Sequence, residues 1–229
     1  MCGRFSATAD VDVLRDLFAF EDRPNWAARW NVAPTQDVPA ALREDGRPRA
    51  RSMRWGLIPG WATDPFGPTG VAKRNLINAR IETASEKPAF RDAWAGRRAI
   101  VFADAFYEWR AADPSRTPQR IALGDGRPFA FAALSALWRG PDGALESCCL
   151  LTRAAPPRLA AIHHRAPVAL DGPDAVAAWL DAGVAPDAAD ALDWAASLVS
   201  RRLNAASAEG ADLMAPDPPP PPAPQGELF

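Results

Sequence analysis

Four places in the chain carry side chains whose types and spacing could do chemistry. The first is Cys2, followed by Gly3. With a small second residue the initiator methionine is expected to be removed, leaving Cys2 with a free α-amine beside its thiol. An α-amine titrates near ~7.7–8.0, against about 10.4 for lysine, so an appreciable fraction is nucleophilic at neutral pH. Towards an aldehyde the amine forms an imine and the thiol closes a five-membered thiazolidine, an adduct that neither group makes alone. The plain alternative is a small cysteine packed as an apolar residue.

The second is Glu108 in FADAFYEW. Strand alternation puts Phe102, Asp104, Phe106 and Glu108 on one face, with Val101, Ala103, Ala105, Tyr107 and Trp109 on the other. Both faces are mostly apolar, which predicts a strand covered on both sides. A carboxyl there loses solvent, its pKa rises, and it suits proton transfer. A glutamate paired with a buried arginine fits the same sequence. The third is the pair His163-His164, where Pro167 reads as the end of a helix and a histidine could serve the helix C-terminus. Adjacent side chains should diverge, and no C-x-x-C or H-x-x-x-H accompanies them, so neither a metal nor another cofactor is expected. The fourth is NLINARIETA. Asn78 and Arg80 point the same way on an extended backbone and together could hold an anion or a sugar oxygen. A turn asparagine and a surface arginine are the simpler reading.

Around these residues the sequence predicts mostly strands. VPAALR, RPRARSMRW, RAIVFADAFYEWR, QRIAL, RPFAFAALSALW and LESCCLLT are short, apolar or β-branched, and bounded by Gly, Pro or Asp. Residues 11–20 place Val11, Leu14, Leu17 and Phe18 on one helical face behind an Asp10 N-cap. Further helices are predicted at 85–95, 155–163, 174–181 and 187–195. Without a regular βαβ alternation, the fold class is α+β, with a mainly antiparallel, barrel-like sheet and peripheral helices.

Composition sets the outer limits. The 229 residues are 48% apolar and 24% charged, which suits one globular domain with a small appendage. That length buries a core without metals or disulfides. No run of about eighteen apolar residues predicts a membrane span. MCGRFSATAD lacks the basic-then-apolar pattern of a signal peptide. Cys2, Cys148 and Cys149 cannot all pair, so a reducing cytoplasm is the expected home. A net charge of −2 announces no nucleic-acid binder. Yet of 26 basic residues only Lys73 and Lys87 are lysines, leaving 24 arginines. Their planar forks suit phosphate, although GC-rich coding also enriches Ala, Pro and Arg.

Read in order, MCGRF, RWNVAPTQ, RWGLIPGW, INARIET, FADAFYEW and IHHRAP resemble the SOS response-associated peptidase (SRAP) family, from Met1 to about Met214. Members of that family crosslink themselves to abasic sites in single-stranded DNA through an N-terminal cysteine, shielding the site during replication. The resemblance implies the family's β-rich α+β core over residues 1–214 and a lyase-like crosslinking activity, beside which an autopeptidase activity could remove Met1. It implies that Cys2 is the thiazolidine-forming nucleophile and that Asn78 positions the Cys2 backbone or the opened sugar. Glu108 would assist ring opening and proton movement, and His163 would stabilise or protonate the sugar oxygens. Arg4, Arg80 and Arg165 match positions that grip phosphates, while Trp55 and Trp109 would shape the DNA surface. A monomer is expected. The sequence departs from the family pattern at His164 and Ala166 in the histidine block, and at Ala205 and Ala208, where asparagines are usual.

After Met214 the composition changes to APDPPPPPAPQGELF. The prolines predict an extended spacer over 215–229. Its end resembles a bacterial sliding-clamp-binding peptide at Gln225, Leu228 and Phe229, two apolar anchors for a preformed pocket. Two other functions compete. One is an N-terminal-cysteine peptidase, with His163 or the α-amine as base and Asn78 stabilising the oxyanion. The other is a non-covalent single-strand binder in which Cys2 is incidental. A lysine-based β-lyase is disfavoured, because neither lysine falls in a matched catalytic position.

Overall fold

The alternation in runs 127–138 and 145–152 needs cover on both faces, and the computed structural model supplies it. It describes residues 2–110, 113–141, 143–186 and 192–218. β9 (Phe129–Gly140) sends Phe129, Phe131 and Ala133 into an inner core and Ala130, Ala132 and Leu134 into an outer one. β10 (Gly143–Ala154) divides Cys148 and Leu150 from Cys149 and Leu151 in the same way. Neighbouring cysteines on opposite faces of one strand cannot bond to each other without breaking it.

These two strands belong to a closed ring. β3 (Asp37–Glu44) and β4 (Arg47–Trp55) form a hairpin whose turn, Asp45-Gly46, has positive φ at both residues. That is the turn geometry that matches strand twist. β3 also pairs with β6 (Arg98–Ala103), β6 with β9, and β9 with β10, all antiparallel. Parallel pairing of β10 with β4, at Ser147↔Arg54 and Cys148↔Trp55, closes a five-stranded barrel. A second, antiparallel sheet runs β13 (Trp194–Leu198), β8 (Pro118–Leu123), β7 (Ala105–Trp109), β1 (Phe5–Ala7), β2 (Arg29–Val32). The inner core fills the barrel and the space under this sheet, where Phe5 meets Trp55 and Phe131 edge-on. The outer core lies beneath α1 (Val11–Phe18) and α4 (Gly172–Ala182). The α+β, mainly antiparallel, barrel-like architecture read from the sequence is the one observed. No helix among the described residues is long and apolar enough to cross a membrane.

α1 forms where its pattern predicts. Asp10 caps it by accepting the Asp12 N–H, and left-handed Ala19 ends it. Three other helices differ from expectation. The 85–95 segment is mostly turns and only α2 (Arg91–Gly96) is helical, because Pro88 lacks an N–H and restricts Lys87. The 155–163 segment shrinks to α3 (Pro157–Ala160), and Pro167 ends a strand, β11 (Arg165–Pro167), instead of a helix. Of 187–195, residues 187–191 lie outside the described residues, while Trp194 begins β13, paired with β8. There its indole fits edge-on against Phe106 and Phe129, and that packing outweighs local helix preference.

The predicted single strand through 98–110 is broken. β6 belongs to the barrel and β7 to the second sheet, with a bend at Asp104. Phe102 therefore enters the outer core and Phe106 the inner one, so the predicted common face of 102, 104, 106 and 108 does not exist. The bend is held by the Asp104 carboxylate, which accepts hydrogen bonds from the Thr8 N–H, the Thr8 hydroxyl and the Ala9 N–H. Asp104→Ala leaves these donors without their acceptor. It is expected to lower stability by roughly 2–3 kcal/mol in urea unfolding, with Asp104→Asn losing less.

Candidate active site

Strand β10 outlasts the barrel, and its free end organises the site. Beyond Leu150 it takes β5 (Asn78–Arg80) in parallel on one edge and β11 antiparallel on the other. Thr152 faces both Arg80 and Pro167. The Asn78 and His163 segments are thus fixed to one strand, although 85 positions separate the two residues. The second sheet brings the other pair. Phe5 pairs with Phe106 and Ser6 with Ala105, and the Tyr107 N–H donates to the Arg4 carbonyl at 3.0 Å. Extending that register sets Gly3 beside Glu108 and leads Cys2 past its carboxyl.

The two halves meet at one hydrogen bond. Asn78 Nδ2 donates to the Cys2 carbonyl at 2.7 Å. A carbonyl can only accept, so the amide nitrogen must face it and Oδ1 must point away. That Oδ1 is buried and has no partner among the described residues. Cys2 itself is fully buried, and its thiol lies 3.8 Å from the Arg4 carbonyl. Burial, and then the negative charge of Glu108, push the thiol far above its ordinary range. Glu108 is 4% exposed, and burial raises its carboxyl to about 7. The carboxyl expected to lose solvent at this position is buried, although the strand that carries it is shorter than foreseen.

His163 lies between α3 and β11. Its Nδ1 is 3.0 Å from both the N–H and the carbonyl of Arg165. Neutral, the ring accepts from the N–H and keeps its proton on Nε2. Protonated, it donates to the carbonyl. Partial burial lowers its pKa. The two histidine rings stack with centroids 4.4 Å apart, contrary to the expected divergence, because the chain turns sharply between α3 and β11.

The arginines and tryptophans sort differently from the sequence-based reading. Arg80 is exposed and, among the described residues, has no carboxylate partner. Arg4 is turned inward, donating to Asn31 Oδ1 at 2.9 Å and to the Leu203 and Asn204 carbonyls at 2.7 and 3.3 Å. Arg165 forms a two-point pair with Glu82 at 2.7 and 2.9 Å and also donates to the Thr152 carbonyl. Both were expected to grip phosphate, yet both donate chiefly to the protein itself. Trp55 is fully buried, donating to the Ile77 carbonyl at 2.9 Å, so it supports the site from within and presents no surface. Trp109 is half-buried and donates to Asn204 Oδ1 at 2.8 Å. Asn31, Glu82 and Thr152 escaped the sequence reading. Asn31 at least lay inside the quoted RWNVAPTQ block. Its Nδ2 reaches the carbonyls of Ala205 and Ala208, both at 2.9 Å, so this backbone is held without asparagine side chains at those two positions. Ala166 simply packs in the inner core.

Beside Asn78 lies a groove of about 650 Å³, walled by Arg74, Arg80, Lys87, Thr152 and Trp61, the last 59% exposed. No cluster of metal-ligating side chains occurs among the described residues. The titration of Glu108 gives this site a signature in stability. Its native carboxyl keeps the proton to about pH 7, whereas an unfolded glutamate loses it near about 4.3. Stability conferred at low pH is therefore lost as pH rises through that window. Glu108→Gln should gain on the parent by about 3 kcal/mol at pH 8 and almost nothing at pH 4, read from urea melts at both pH values.

Comparison with known proteins gives the chain its family. The model of the SOS response associated peptidase (SRAP) family matches residues 1–207. The abasic site processing protein YoqW of Bacillus subtilis is 38% identical over 175 residues, covering 74% of this chain and 76% of YoqW. The abasic site processing protein YedK of Escherichia coli is 33% identical over 191 residues, 79% of each. A crystal structure of a Bordetella bronchiseptica protein superposes with a TM-score of 0.71 at 28% identity, covering 87% of this chain and 100% of that one. Matched by the family model over residues 1–207, this chain belongs to the SOS response-associated peptidase family.

Proposed function

We propose that this protein processes abasic sites in single-stranded DNA by joining itself to them through Cys2. The observation that carries the reading is the Asn78–Cys2 hydrogen bond, which pins the N-terminus among a buried acid, an imidazole and a basic groove. The relatives' shared description as abasic site processing proteins supports it.

The chemistry begins with hydrolysis of Met1, which frees the Cys2 α-amine. An abasic deoxyribose opens when its anomeric hydroxyl loses a proton and its ring oxygen gains one. Ionised Glu108 takes the first, and the imidazolium form of His163 gives the second from Nε2, keeping its Nδ1 proton on the Arg165 carbonyl. The α-amine adds to the aldehyde carbon, and the carbinolamine loses water with a proton from Glu108. The sulfur then adds to the imine carbon while its proton passes through Glu108 to nitrogen, closing the thiazolidine. One water leaves and nothing is oxidised. A carboxyl titrating at about 7 is populated in both forms at neutral pH, as giving and taking protons in turn requires.

The buried thiol favours this over amide cleavage. A peptidase nucleophile works as thiolate, which burial opposes here. Addition of a neutral thiol to an adjacent imine is intramolecular and needs no standing thiolate. In the groove, Arg80, Arg74 and Lys87 meet phosphates, Trp61 offers a face for a base, and Asn78 Oδ1 accepts a sugar hydroxyl. Arg4, Arg165 and Trp55 hold the walls, and Trp109 borders the Cys2 end. The tail residues Gln225, Leu228 and Phe229 lie outside the described residues. Their sequence suits docking on a replicative clamp, which would raise the local concentration of the protein at forks. Removing 219–229, which spares the Asp217 contacts with Ser200 and Arg201, should abolish clamp binding in a pull-down and leave crosslinking intact.

Wild-type protein mixed with a single-stranded oligonucleotide bearing one abasic site should give a band that survives denaturation, with an intact mass lacking Met1. Cys2→Ser should give none. A folded wild-type protein, its Met1 gone, that forms no such band would overturn the proposal.

A further inference from the structure

Cys2 stands on a boundary between two basic recesses with no described residue in common. Its carbonyl is held by Asn78, a wall of the groove already described, while the next residue, Gly3, is a wall of a second recess of about 380 Å³. Arg4, Trp109, Arg116 and Asn204 complete that recess, so its described walls carry two guanidinium groups and no carboxylate.

The two arginines differ in what they can do. Arg4 is bound to Asn31 and two carbonyls and forms the floor. Arg116 is exposed, and its guanidinium has no carboxylate partner among the described residues. Only its backbone is fixed. Its N–H donates to the Asp113 carbonyl at 3.2 Å, and its own carbonyl accepts from Asn204 Nδ2 at 3.3 Å. The residue sits in the left-handed region at φ 51°, a conformation uncommon for a side chain larger than glycine. The nearby Asp113 carboxylate is turned away into its own turn, accepting from Ser115 and Thr117. Asn204 also anchors the Trp109 indole, so a single amide positions both the arginine and the aromatic.

Resting on the proposed chemistry at Cys2, we infer that this recess is a second phosphate seat for the same DNA strand, with Arg116 as its cation. An internal abasic nucleotide has a phosphate on each side. With its C1′ at Cys2, one neighbouring phosphate falls towards Arg80 and the other towards Arg116. The strand is gripped on both flanks, and the substrate class narrows to abasic sites with chain continuing on the Arg116 side.

The test uses full-length protein and three single-stranded oligonucleotides, with the abasic nucleotide internal, at the 5′ end without phosphate, or at the 3′ end without phosphate. Arg116→Ala should slow crosslinking of the internal site several-fold at limiting protein, with Arg116→Lys recovering part of the loss. One terminal substrate, the one lacking the phosphate on the Arg116 side, should react equally with wild type and variant. A structural defect would instead slow all three alike, and that result or an unchanged internal rate would overturn the inference. Binding of intact single-stranded DNA by Cys2→Ser supplies a reading independent of crosslinking. Adding Arg116→Ala should reduce the slope of log affinity against log salt by about 0.7, the value for one single-strand phosphate contact, and an unchanged slope would count against the seat. A wild type that binds DNA but crosslinks none of the substrates would refute the Cys2 chemistry itself.

Discussion

At Thr152 a single strand is paired along both edges, and the site hangs from that fact. Because β10 runs past the point where β9 and β4 leave it, its backbone must find new partners, and β5 and β11 provide them. Parallel pairing sets Asn78 at the level of Leu150, and antiparallel pairing sets Arg165 at Ala154. Arg165 then reaches back to the Thr152 carbonyl and across to Glu82, tying β11 to the chain that follows β5. Part of the stiffness of this corner comes from a barrel that closes behind it. The Asn78 amide, held at its backbone, can therefore hold the N-terminus in turn.

Electrostatics at the site follow from burial more than from charge. The same desolvation that raises Glu108 to about 7 also keeps the Cys2 thiol protonated and His163 mostly neutral. The thiol and the imidazole are held near their neutral forms, while the carboxyl is poised between its two. Such a site suits a sequence of proton transfers between weak acids and bases, and it spares Cys2 from standing as a reactive thiolate before substrate arrives.

The arginine-rich, weakly acidic composition resolves once partners are assigned. Many arginines with carboxylate partners form exposed pairs, such as Arg47 with Glu21 and Arg158 with Asp193, each worth about 0–1 kcal/mol. They cancel charge locally and leave the protein near neutral. Arg74, Arg80 and Arg116 have no carboxylate partner among the described residues, and they line the two recesses that flank Cys2. A net charge averages over these two populations, which is why −2 says little about what the surface around Cys2 can bind.

The sequence by itself determined what depends on local pattern. Period-two apolar runs specified the strands of the barrel, Asp10 and Leu14 marked α1, and the order of short blocks identified the family. Cys2, Asn78, Glu108 and His163 could be named because their chemistry is carried by residue type and by that order. Tertiary structure decided what depends on partners distant in the chain. It split the 98–110 run at Asp104, since only contacts from Thr8 and Ala9 make a buried bend there affordable. It made 194–198 a strand, because β8 had an edge to fill. It turned Arg4, Arg165 and Trp55 inward, because Asn31, Glu82 and the Ile77 carbonyl wait for them across sequence gaps that no periodicity encodes. A side chain's identity says which bonds it can make. Which of them it does make is settled by whichever acceptor or donor the fold brings within about 3 Å.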